Sequence, residues 1–97
     1  MKNVIFHLLA DSELHDSVYY YEKQRQGLGQ EFLDEVHQAV EQITAYPYTS
    51  RMIKKGLRQK AVRRFPFNII YRVENDTIFI LAVMHQRRRP NYWVGRT

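Results

Sequence analysis

The 97-residue sequence contains no cysteine, which removes disulfides, thiol nucleophiles and zinc–thiolate centres from the chain's repertoire. A chain of this length buries roughly 65% of its unfolded surface on folding, enough for one core without a covalent or metal staple. No apolar stretch approaches the roughly 20 residues required to cross a bilayer. The opening Met1–Ala10 superficially resembles a short signal peptide. His7 interrupts it, however, and Asp11, Glu13 and Asp16 follow where small residues should mark a cleavage site. An N-terminal strand is the better reading, and the expected location is cytoplasmic, with no membrane contact. Repeats, low-complexity tracts and linkers are also missing, so residues 1–97 are expected to form a single folding unit. Proline and glycine are scarce, three and four residues respectively.

Acidic residues are nearly missing from the second half. Residues 1–46 hold three Lys/Arg against eight acids, a net of −5. Residues 47–97 hold twelve Lys/Arg against only Glu74 and Asp76, a net of +10. This segregation makes the molecule dipolar, with a cationic half that attracts polyanions or acidic proteins over a Debye length of about 8–10 Å. Charge alone does not choose between them.

Hydrophobic periodicity divides the chain into elements. Asn3 to Leu9 reads as a strand, after which Asp11 or Ser12 is placed to cap a helix. Leu14, Val18 and Tyr21 form that helix's apolar stripe, and Gly27-Leu28-Gly29 ends it. A second helix spans about Gln30 to Tyr46, with Phe32, Val36, Ala39, Val40 and Ile43 on one face and Pro47 as its stop. Three strand-like segments follow. The first, Leu57 to Phe65, is unusually basic; the second alternates Phe67, Ile69, Tyr71 and Val73; the third, Thr77 to His85, is apolar on both faces. The predicted class is α+β. An N-terminal strand and an antiparallel helical hairpin precede a three-stranded antiparallel meander, and the helices cover one face of an antiparallel sheet.

The densest polar segment is His85-Gln86-Arg87-Arg88-Arg89-Pro90-Asn91-Tyr92-Trp93, placed where the last strand ends. Cleavage of RNA through its 2′-hydroxyl requires a base, an acid and cations on the phosphorane oxygens. His85 is a candidate base or acid, because free imidazole has a pKa near neutrality. Arg64 and Arg88 are suited to clamp phosphate, and Tyr92 to stack on a base or relay a proton. These four are the catalytic candidates. The same residue types serve equally as a contact surface for an acidic partner, with Arg63, Arg64, Arg87, Arg88, Arg89 and Trp93 as target-binding candidates. His7, His15 and His37 lack metal-ligand spacing with one another, and Gly27-Leu28-Gly29 lacks the strand and lysine of a phosphate loop. No metal and no cofactor is expected. The tyrosine triplet Tyr19-Tyr20-Tyr21 belongs to hairpin packing, with at least one hydroxyl in water. The two helices carry most of the acids, which argues against their use as a DNA-reading helix-turn-helix.

Several segments together resemble the RelE/ParE superfamily of toxins from type II toxin–antitoxin systems, especially its ParE-like plasmid-stabilisation branch. They are Tyr19-Tyr20-Tyr21-Glu22, Gly27-Leu28-Gly29-Gln30-Glu31-Phe32, Pro47, Val62 to Tyr71, Ile80 to Arg88, and Pro90 with Tyr92-Trp93. The match runs in order along nearly the whole chain. The resemblance implies a toxin neutralised by a cognate antitoxin, with any DNA contact made through the antitoxin complex. It implies one of two targets. ParE-type members poison DNA gyrase by protein contact and are not enzymes, whereas RelE-type members enter the ribosome and cleave mRNA without a metal. Lys54 and Lys55 precede the basic strand, and Arg63 or Arg64 matches a strand arginine of the ribonucleases. His85 with Arg88 resembles the ParE-like branch at least as well, and gyrase is the favoured target.

Overall fold

The computed structural model describes residues 3–96; Met1, Lys2 and Thr97, which the expected unit 1–97 includes, lie outside the described residues. The chain runs β1 (Asn3–Phe6), α1 (Leu8–Gln24), α2 (Leu28–Ala45), β2 (Arg51–Lys54), β3 (Leu57–Ala61), β4 (Phe67–Glu74) and β5 (Thr77–His85). The strands form one five-stranded sheet in the order β1-β5-β4-β3-β2. From β2 to β5 every neighbouring pair is antiparallel, but β1 lies parallel to β5, with Asn3 opposite Thr77 and Phe6 opposite Ile80. The class is therefore α+β as expected, with two corrections: the sheet is mixed, and it has five strands.

The added strand, β2, is short and exposed. Arg51-Met52-Ile53-Lys54 turns over at Lys55-Gly56 into β3, where Gly56 supplies a φ of +78°. So brief a run, flanked by cations, carries no clear alternation. β3 ends at Ala61 rather than Phe65, because Val62 to Pro66 form a turn closed by the Val62 N–H donating to the Phe67 carbonyl.

β1 also ends early, at Phe6, and the helix cap is His7 rather than Asp11 or Ser12. The His7 Nδ1 accepts from the Leu9 N–H at 3.1 Å. The cause lies in β5. Its pairing with β4 slips between Ile80 and Ala82, a bulge at Leu81, and β1 pairs no further than Ile80. Leu8 and Leu9 have no strand to continue along and begin α1.

The bulge also changes which side chains face the helices. Before it Ile78 and Ile80 point into the helix-covered core, and after it Val83 does. Leu81, Ala82 and Met84 fall on the opposite face with Ile70. On the first face the helices bury Ala10, Leu14, Phe32, Val36, Ala39 and Ile43 against Phe67, Ile69 and Tyr71. Each large side chain taken fully out of water there contributes about 1.5–3 kcal/mol. The second face is closed by Trp93, only 3% exposed, which the C-terminal tail lays across it. That explains a last strand that is apolar on both sides.

The hairpin turn depends on two glycines and one acid. Gly27 takes φ +88°, and a Cβ on Gly29 would lie 2.6 Å from the Val18 carbonyl oxygen. The Glu22 carboxylate accepts from Gly27 N at 3.0 Å and Gly29 N at 3.0 Å, satisfying free amides at the start of α2. Pro47 ends the segment after α2, and its carbonyl accepts from the buried Tyr71 hydroxyl at 2.8 Å. Of the tyrosine triplet, Tyr21 packs on the core while Tyr19 and Tyr20 are exposed. Among the described residues no helix is long and apolar enough to cross a membrane.

Candidate functional site

Two arginine-bearing turns meet at one end of the sheet. The first, Val62–Pro66, carries Arg63 and Arg64 into β4. The second, following β5, carries Arg87, Arg88 and Arg89. Register brings them together, since Phe67 is opposite His85. The Gln86 N–H then donates to the Pro66 carbonyl at 2.8 Å and staples one turn to the other. Arg63, Arg87, Arg88 and Arg89 are exposed, and among the described residues none of them forms an ion pair.

Arg64 is different. It holds a φ of +68°, a region that costs a bulky L-residue roughly 1–2 kcal/mol. Its guanidinium donates to Glu31 at 2.7 Å and lies 3.6 Å from Glu35, both on α2. Arg25 reaches the same Glu31 at 3.0 Å. The hydrogen bonds from Arg64 and then Arg25 hold the Glu31 carboxyl below the usual carboxylate range. The contact with Glu31 correspondingly raises the Arg64 pKa. Arg64 thus ties the turn to the helical hairpin, and its charge is largely neutralised in place.

His85 is half-buried, edge-on to the Phe67 ring at 5.1 Å. Its Nδ1 accepts from the Arg87 N–H at 3.0 Å, which leaves Nε2 as the proton-bearing nitrogen of a neutral ring. Arg88 lies over the Tyr92 ring at 4.0 Å, and Arg96 lies over the same ring at 5.0 Å. Tyr92 is a spacer between two guanidiniums. Its hydroxyl is buried without a hydrogen-bond partner. Burial, and then the Glu13 carboxylate beside it, push its pKa well above the ordinary tyrosine value, so it holds its proton at neutral pH. Trp93, expected at the contact surface, is instead part of the second-face core.

Of the four catalytic candidates, Arg88 and Tyr92 stack together in the tail, His85 ends β5 with its ring against Phe67, and Arg64 is engaged by α2. The tail is anchored by residues that the sequence pattern did not single out. Arg96 donates to both Glu13 carboxylate oxygens, at 3.0 and 3.1 Å, and to the Leu81 carbonyl at 3.0 Å. Glu13 also accepts from the Val83 N–H at 3.0 Å. These contacts satisfy the edge of β5 beyond the point where β1 stops pairing. An acid at position 13 and an arginine at 96 carry no local signature, because only the bulge at Leu81 creates the need for them.

The family model described as "ParE toxin of type II toxin-antitoxin system, parDE" matches residues 4–90. Among solved structures, a chain described as "Chromosomal ParDE TA system from P. aeruginosa" is similar, with a TM-score of 0.66 and 23% identity. The match covers 88% of this chain and 96% of that one. No relative was found among curated proteins.

Proposed function

Since the chain belongs to the ParE toxin family of type II toxin–antitoxin systems, we propose that it inhibits DNA gyrase by protein contact and that its cognate antitoxin relieves the inhibition. The stapled pair of turns supports this reading: Arg63, Arg87, Arg88 and Arg89 form a cationic rim held by the sheet end. A rim of exposed guanidiniums accelerates encounter with an acidic surface and matches carboxylates bidentately. Arg88 is set in orientation by Tyr92 at 4.0 Å, whereas Arg87 and Arg89 are free to adapt.

The groups required for RNA cleavage do not converge in the same way. Arg64 is bound by Glu31 and Glu35, and the Tyr92 proton is held by burial. A non-enzymatic contact uses the rim as it stands. Purified chain added to gyrase should inhibit supercoiling or trap cleaved DNA. An R87E/R89E variant should lose that effect by at least about tenfold, the scale of a disrupted charged contact. Full supercoiling at saturating toxin, or codon-positioned mRNA cuts that vanish in H85A, would move the target to the ribosome.

A further inference from the structure

One arginine of the rim, Arg88, is held at both its backbone and its side chain. The Gln86 N–H donates to the Pro66 carbonyl at 2.8 Å, the Arg87 N–H to His85 Nδ1 at 3.0 Å and the Arg88 N–H to the His85 carbonyl at 2.9 Å. The backbone is thus tied as far as Arg88. Pro90 and Asn91 then reverse the chain, with Asn91 at φ +69°, a left-handed conformation that asparagine tolerates better than most residues. The reversal brings Tyr92 back against Arg88, whose Cζ lies 4.0 Å from the centre of the ring.

Tyr92 is itself held. Its neighbour Trp93 is buried in the second-face core, and Arg96 lies over the Tyr92 ring at 5.0 Å. Arg96 in turn is clasped by both carboxylate oxygens of Glu13, on α1, at 3.0 and 3.1 Å. Two bare guanidiniums on one ring would repel each other, and Glu13 offsets the charge of one of them. The Tyr92 hydroxyl is buried without a hydrogen-bond partner, so the face of the ring is the part put to use. Arg88 is exposed and forms no ion pair among the described residues. Stacking occupies the face of its guanidinium and leaves the N–H groups at the edge for a ligand.

We infer that Arg88 is the anchor through which the rim grips a carboxylate of its target, and that Tyr92 is a positioning residue that sets its guanidinium in advance. Arg96 and Glu13 back the ring from α1. Ordering a long, flexible side chain at the moment of binding lowers affinity by about two- to tenfold. The stack orders Arg88 on folding, before any target arrives. Arg63, Arg87 and Arg89 have no such support and supply long-range attraction instead. A ring that merely closed the second-face core would be replaceable by leucine, and a guanidinium that merely steered would be replaceable by lysine. The inference rests on the reading that the chain acts as a toxin through its rim, and it holds whichever target the rim meets.

Growth arrest on induced expression measures potency whatever the target, and gyrase supercoiling measures it against the proposed one. R88A should raise the dose needed for arrest at least about tenfold, and R88K, which keeps the charge but loses the planar fork, should not restore it. Y92L should raise the dose about two- to tenfold, and Y92F, which keeps the ring, should restore potency. In an R88A background Y92L should add no further loss, because its effect runs through Arg88. The side-chain NMR signals of Arg88 should carry an upfield ring-current shift in the parent and in Y92F that disappears in Y92L, with circular dichroism reporting the fold. Parent potency in R88A, R88K or Y92L, an equal loss from Y92L with and without Arg88, or Arg88 signals unmoved by Y92L overturns the inference. So does a parent chain without effect in either assay. Growth arrest that depends on Arg88 and Tyr92 while gyrase keeps supercoiling supports the inference and overturns only the choice of gyrase.

Discussion

Replacing Glu13 or Arg96 tests whether the tail is held by the ion pair that closes the β5 edge. Their side chains are 15% and 11% exposed, so the pair is mostly desolvated while remaining in sight of water. Breaking a fully buried pair costs about 3–5 kcal/mol, because the surviving charge is left uncompensated. Partial exposure reduces that to about 2–3 kcal/mol for E13Q, which leaves the Arg96 guanidinium without a counter-charge. R96Q should cost a similar amount, since it removes two bonds to Glu13 and one to the Leu81 carbonyl. The double variant E13Q/R96Q leaves no isolated charge and should cost less than the sum of the singles, by at least about 1 kcal/mol. Against a total stability of about 5–15 kcal/mol these are large effects, lowering Tm by on the order of 10 °C. Urea titrations followed by far-ultraviolet dichroism give the global value. Trp93 fluorescence reports whether the tail detaches first, which should appear in the single variants as an earlier fluorescence midpoint. Singles within about 0.5 kcal/mol of the parent, or strict additivity in the double, would refute the reasoning.

Three further perturbations address other contacts. G29A places a methyl 2.6 Å from the Val18 carbonyl oxygen and should destabilise the hairpin by about 1–3 kcal/mol in chemical denaturation. The Glu31 pKa is lowered in the folded state, so its contribution is present above the unfolded pKa and is lost as pH falls through the folded one. E31Q should therefore flatten the acid limb of a stability–pH profile below about pH 4.5, the ordinary carboxyl value. The Tyr92 pKa is raised, so its contribution is complete below the ordinary tyrosine value of 10.0 and declines as pH climbs above it. Y92F should remove that alkaline loss and, by deleting an unpaired buried hydroxyl, leave neutral-pH stability unchanged or up to about 1 kcal/mol higher by thermal melting.

Elements governed by local periodicity were legible in the chain. The second helix, β4 and β5 stand within two residues of where apolar spacing puts them, because each presents a continuous stripe to one core. β2 was not legible, since its four residues are mostly exposed and its pairing is irregular. Nor was the parallel partnership of β1, which depends on where the chain returns seventy residues later rather than on anything in Asn3–Phe6. The site divides along the same line. The proximity of Arg63 and Arg64 to Arg87, Arg88 and Arg89 follows from a meander and was foreseeable. The capture of Arg64 by Glu31 and Glu35, the burial of Trp93 and the Glu13–Arg96 clasp all join residues from distant elements, with no local pattern to announce them.

The parallel seating of β1 on β5 has a kinetic consequence. Glu13 and Arg96 stand 83 positions apart, and β1 meets β5 across a comparable stretch, whereas β3, β4 and β5 are joined by tight turns. Loop-closure entropy grows with the length enclosed, so the meander is entropically cheap to assemble and the N-terminal edge with its tail is expensive. Assembly should therefore run from β3–β5 outward, and native-state opening should run the other way. Amides of β1 should exchange with solvent well before those of β4, and the first proteolytic cuts in a partly opened population should fall in the tail that carries the arginines.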